Sequence, residues 1–170
     1  YIHDTAATGL GIDHITGSIS NVWAVGCGRL NDGSQAGGSG IGIGVGRLNA
    51  EWEPLTISAC HSEGNGRYGI FIESQDDRVN PGGISIIGCT ANNNLDGFGL
   101  CGSDGVRLIG SHATGNARGG ITIDSGTFSP GEPAPRAYAE GCHTYGNNHG
   151  MEPASDPSDA FASQRCRGND

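Results

Sequence analysis

Three acidic side chains stand at the ends of short apolar alternations: Asp13 after GLGI, Glu73 after GIFI and Asp124 after GITI. Paired carboxylates that flank a scissile glycosidic bond are the acid and base of glycoside hydrolysis. Histidines form a second set. His61, His112 and His143 each follow directly on Cys60, Ser111 or Cys142, and Thr90 follows Cys89 in the same place. Imidazole serves as a base or a metal ligand near neutral pH. No His–Glu–His ligand set accompanies these histidines, and no orienting carboxylate stands out. A third set, Gly11, Gly42, Phe71, Gly99 and Thr122, holds the middles of the alternations. That strip is nearly bare, a surface on which a glycan or a second subunit lies flat. The candidates for catalysis are Glu73, Asp124, His112 and His143. The candidates for ligand contact are Asp13, Phe71, Glu73, Thr122 and Asp124.

The elements that position them are written as a repeat. LTISACHSEGNGRYGIFIE (55–73), ISIIGCTANNNLDGFGLC (84–101) and VRLIGSHATGNARGGITID (106–124) share one grammar. Two apolar residues spaced by one lead to a Cys or Ser. An Asn-containing turn follows, then Gly and a second apolar alternation. Cys27, Cys60, Cys89, Ser111 and Cys142 align, with Val22 and Ala24 leading into Cys27 and Ala137 and Ala139 into Cys142. A repeat of this length governs how every segment is judged. Period-two runs bounded by Gly, Asn and Pro indicate strands. A sandwich of hairpins would need two-residue turns at regular short spacing, against the aligned positions. Strands recurring once per repeat stack on themselves as parallel ladders. The fold expected is all-β, a right-handed parallel β-helix of about six coils of roughly 22–33 residues over 1–150, its first coil truncated. Leu55, Ile57, Ile70, Ile72, Ile84, Ile86, Val106, Leu108, Ile121 and Ile123 are the expected core. Glu73 and Asp124 then lie two coils apart, roughly 9–10 Å. Residues 151–170 leave the grammar and form a tail or partial cap. There Ser158 caps a helical turn through Ala160–Phe161, and Phe161 covers the last coil near Tyr138 or Met151.

Composition fits a narrow core. Only 35% of residues are hydrophobic, and the 32 Gly sit at repeat-locked corners where positive φ is needed. The length suits one domain. No apolar run reaches the length of a membrane span, and no signal peptide is visible at Tyr1. Net charge is −9, and the nine basic residues are all Arg, without a basic stripe. Nucleic acid and anionic membranes are poor partners for such a surface. The cysteines form an inward column of buried thiols. Cys60 and Cys89 lie on adjacent coils at a spacing that permits a disulfide. No CxxC pair suggests zinc, and neither a metal nor a cofactor is expected. Asn31, Asn65, Asn93, Asn116 and Asn147 form a polar corner ladder, which is scaffold.

This coil grammar resembles the right-handed β-helix superfamily of pectate-lyase-like proteins over residues 1–150. The passage GRLNDGSQAGGSGIGIGVG (28–46), followed by CHSEGNGRYGIFIE (60–73), is similar to β-helix regions of tailed-phage tail and tailspike proteins. The resemblance implies a virion or extracellular module that recognises a surface polysaccharide or serves as a rigid spacer. It also implies a homotrimer, with Phe71 as a contact. The alternative it implies is a secreted carbohydrate-active enzyme, a polysaccharide lyase, hydrolase or epimerase. The departures are specific. The DPH-type stretch of alginate epimerases is absent, and no Lys is present to neutralise a uronate, which leaves Arg67, Arg107 and Arg118. Asp76-Asp77 stands where a calcium pair is conceivable, but its setting, SQDDRVNPGG, is that of an exposed loop. Fold alone does not give chemistry.

Overall fold

The structure is a computed structural model and describes residues 1–13, 16–30, 32–34, 36–45, 54–74, 83–101, 105–124, 136–152, 160–161 and 165–167. It is all-β, with no helix among the described residues, and every strand pairing is parallel. The strands fall into three ladders. The first holds β3 (Gly17–Ser20), β6 (Leu55–Ser58), β9 (Ile84–Ile87) and β12 (Val106–Ile109). The second holds β1 (Ile2–His3), β4 (Trp23–Val25), β7 (His61–Glu63), β10 (Thr90–Asn92) and β13 (His112–Thr114). β15 (Arg136–Tyr145) runs through both and joins them into one 12-stranded sheet, onto which β17 (Ala160–Phe161) and β18 (Arg165–Arg167) also pair. The third ladder is a separate six-stranded sheet of β2 (Leu10–Asp13), β5 (Ile41–Val45), β8 (Tyr68–Ser74), β11 (Asp96–Cys101), β14 (Gly119–Asp124) and β16 (His149–Glu152). The chain visits the ladders in turn and returns to the first, a topology compatible with a parallel β-helix or solenoid.

Alternation explains the core. Inward positions of successive strands carry one apolar residue above another, so Ile19, Ile57, Ile86 and Leu108 form one buried stack. Of the ten residues expected inside, nine are at most 2% exposed; the Ile123 side chain lies outside the described residues. Together with Cys27, Cys60, Cys89, Phe98 and Cys142, these nine belong to one continuous cluster.

Two corner columns turn the chain. Asn21, Ala59, Gly88, Gly110 and Gly141 hold φ between 50 and 62°. Gly26, Gly64, Asn93, Gly115 and Gly146 hold φ between 55 and 66°. This is the left-handed region, favoured by Gly and tolerated by Asn. The glycines that open the third ladder have a different reason to be there. A Cβ on Gly69 would come within 2.7 Å of Ala91 Cβ and 2.8 Å of Asn94 Nδ2, and one on Gly97 would strike the Gly120 carbonyl. Close approach, not positive φ, excludes a side chain at Gly69 and Gly97.

The register corrects three expectations. Trp23 pairs with His61, so Val22, not Cys27, shares the column of Cys60, Cys89, Ser111 and Cys142. Cys27 stands level with Asn65 and donates its backbone N–H to Asn65 Oδ1 at 2.8 Å. The apolar lead to that first turn is therefore Gly17 and Ile19, level with Leu55 and Ile57. The Asn ladder runs through Asn94 and not Asn93. Asn65 Nδ2 donates to Asn94 Oδ1 (2.8 Å), Asn94 Nδ2 to Asn116 Oδ1 (3.2 Å) and Asn116 Nδ2 to Asn147 Oδ1 (2.7 Å). The corner itself takes Asn93, at φ 55°. Asn31 lies outside the described residues. Finally, Ala160–Phe161 is a strand paired with Arg136–Ala137, not a helical turn, because an open ladder edge offers backbone partners. Ser158 and the Phe161 side chain lie outside the described residues.

Candidate functional site

The outer face of the six-stranded sheet carries the expected ligand strip in register. Gly11, Gly42, Phe71, Gly99 and Thr122 are successive partners, and Asp13, Gly44, Glu73, Cys101 and Asp124 form the column beside them. The strip is not bare. Tyr68 and Phe71 stack with ring centroids 4.4 Å apart and planes 4° from parallel. They lie over Gly99, where a Cβ would meet Tyr68 at 2.5 Å and Phe71 at 2.8 Å. The Arg67 guanidinium sits 5.1 and 5.2 Å from the two ring centroids, a double cation–π contact. Phe71 is consequently only 7% exposed, and offers no open ring face for a subunit contact. Thr122 is also buried, and its Oγ1 has no hydrogen-bond partner among the described residues.

Beside the aromatic pair lies a groove of about 340 Å³. Its floor is glycine (Gly11, Gly42, Gly44), and its polar rim is Thr8, Asp13, Ser39, Arg67 and Glu73, with Phe71 as a wall. Asp13 and Glu73 are both partners of Gly44, so they stand two repeats apart, roughly 9–10 Å by strand spacing. The groove therefore unites Asp13, Phe71 and Glu73. Thr122 and Asp124 do not line it; Asp124 shares the column, but its side chain lies outside the described residues.

The histidine column lies on the second ladder. Trp23, His61, Thr90, His112 and His143 are successive register partners. The His112 and His143 rings stack at 5.1 Å and 18°. Trp23, absent from the sequence-derived candidates, is 50% exposed and packs on His61 with centroids 4.6 Å apart. Also unforeseen is an orienting carboxylate. Glu63 Oε2 lies 3.1 Å from His61 Nε2, while Asn93 Nδ2 donates to Glu63 Oε1 at 3.2 Å. The His61 and Asn93 hydrogen bonds hold the Glu63 carboxyl below the usual range. The signal was present in HSE (61–63), whose first and third residues share the outward face of a strand. Asp96 is structural. Buried at the entry to β11, it accepts from the Gly119 N–H at 3.0 Å and pairs with Arg118 at 3.0 Å.

Among the described residues no three His, Cys, Asp or Glu side chains converge on a point that could hold a metal ion. No described helix is long and apolar enough to cross a membrane. Asp76 and Asp77 lie outside the described residues. No protein-family model, curated protein or solved structure matches this chain, so the functional reading rests on its own geometry.

Proposed function

We propose that this chain is a glycan-recognition module: a right-handed parallel β-helix of about six coils, part of a virion tail or surface-attached extracellular protein. The observation that supports the reading is the glycine-floored groove, with Asp13 and Glu73 on its rim and Arg67 held over an aromatic wall. Sugars are bound by carboxylates and guanidinium groups that take hydroxyls in pairs, beside apolar surface. A floor without side chains lets a chain of pyranose rings approach the sheet. A homotrimer belongs to the same proposal, though Phe71 is not its contact, being covered by Arg67 and Tyr68.

Glycan-array screening followed by titration calorimetry tests this reading. Asp13→Asn, Glu73→Gln and Arg67→Ala are each expected to weaken binding about tenfold or more, a loss of about 1.4 kcal/mol. Binding that survives all three together would rule the groove out. The second reading is a carbohydrate-active enzyme, favoured by the placement of two carboxylates across one groove near the 6.5–9.5 Å used by inverting glycosidases. New reducing ends released from a bound glycan, and lost in Glu73→Gln, would establish it.

A further inference from the structure

The column on the second ladder contains an arrangement that the glycan reading does not use. Thr90 Oγ1 lies 2.5 Å from His61 Nδ1, and His61 Nε2 lies 3.1 Å from Glu63 Oε2. Asn93 holds the far oxygen of that carboxylate. A hydroxyl, an imidazole and a carboxylate are thus linked in series, with a base in reach of the nucleophile and a third group fixing the base. The order assigns the tautomer: Nε2–H donates to Glu63 and Nδ1 accepts from Thr90. Trp23 packs against the imidazole and limits its rotation.

Access is built in as well. The register partners of Thr90 are His61 on one side and His112 on the other. The short threonine therefore occupies a notch between two imidazoles whose backbones stand roughly 9–10 Å apart. His61 is engaged at both nitrogens, whereas His112 is exposed and braced from behind by the stacked ring of His143. His112, the register partner of Thr90, stands beside the notch in which a carbonyl bound at Thr90 would develop negative charge.

We propose that Thr90, His61 and Glu63 form an acyl-transfer site for small esters, such as an acetyl group on a sugar hydroxyl, with His112 as the donor to the carbonyl oxygen. Thr90 Oγ1 bonds to the carbonyl carbon as its proton passes to His61 Nδ1. The bond from that carbon to the leaving alcohol's oxygen breaks, and the alcohol departs with the proton from His61. Water then adds to the threonyl ester while His61 accepts a proton, and the acid leaves as Thr90 regains its own. Glu63 is a positioning residue, acting through His61.

The test uses the whole chain with p-nitrophenyl acetate and, separately, a fluorophosphonate probe read by peptide mass mapping. A single probe adduct on Thr90 is expected. Hydrolysis is expected to fall about a hundredfold or more in Thr90→Val and His61→Gln, and to be retained in Thr90→Ser. Thr90→Val keeps every histidine, so it also measures the background hydrolysis by exposed imidazoles. Glu63→Gln is expected to lower kcat with KM within about twofold, a split that a merely structural role would not produce. Equal hydrolysis by wild type and Thr90→Val, or an unlabelled Thr90 in folded protein, overturns the proposal. Glycan binding in the Asp13/Glu73 groove is measured independently, so either proposal can fail alone.

Discussion

Asn93 and Asn94 are neighbours with opposite duties. Asn94 is 2% exposed, accepts from the backbone and side chain of Asn65, and donates to Ser62 O and Asn116 Oδ1. Asn94→Ala leaves the buried Asn65 N–H without its acceptor and takes a donor from Ser62 O and Asn116 Oδ1, and is expected to cost about 2–4 kcal/mol. Asn93→Gly keeps the left-handed corner and should change stability by less than about 1 kcal/mol. Urea denaturation of the two variants measures the contrast. At Glu63 the prediction concerns pH. Its carboxyl titrates below the usual range when folded, so its contribution is present above the unfolded pKa and is lost as pH falls through the folded value. Glu63→Gln should therefore be slightly less stable than wild type at pH 7, by about 0.5 kcal/mol at this half-exposed site, with the gap closing as the pH falls through the folded carboxyl's value.

At the scale of the strand and corner, the five-residue column of left-handed positions contains one misfit. Ala59 holds φ 50° where its counterparts in three later repeats are Gly88, Gly110 and Gly141. Ala59→Gly is expected to raise stability by about 1 kcal/mol, seen as a higher melting temperature. Gly69→Ala should do the reverse, by several kcal/mol, because Ala91 and Asn94 already fill the space. These columns also show what was legible in the sequence. Alternation exposed the strands and nine core positions, since inward residues must be apolar whatever the handedness. The first turn was misaligned at Cys27 because a thiol there looks like the thiols of Cys60 and Cys89. Only the register shows that it stands level with an Asn. Phe71 was misjudged because an outward position is exposed only if nothing from the preceding turn folds over it. The His61–Glu63–Thr90 linkage combines i,i+2 neighbours with a residue 29 positions away, and strand stacking alone brings them together.

Among the described residues the buried apolar side chains, apart from the outer Tyr68–Phe71 pair, form one connected column, so unfolding should be shared and not confined to one end. The thiols report on this. Cys27, Cys60, Cys89 and Cys142 are buried thiols, and the Cys89 thiol is pushed up by its hydrogen bond with Cys60 and by burial. In native buffer a maleimide should leave all four unlabelled. Across a urea series all four should gain label in the same transition that abolishes the β-sheet circular dichroism. Labelling of Cys27 well before Cys142 would show that the column frays in sections.

The asparagine column has a direction. Each carboxamide oxygen accepts from the preceding turn, and each amide donates to the next, so a rung specifies only its neighbours. Nothing in that rule limits the number of rungs. The shortest span between rungs, from Asn94 to Asn116, is 22 residues, and tandem duplication of residues 94–115 would present the same donors and acceptors to both sides. Length then becomes a quantity that a single in-frame duplication can change, by about 4.8 Å each time. A molecule built this way is a ruler that evolution or an engineer can lengthen without redesigning its ends.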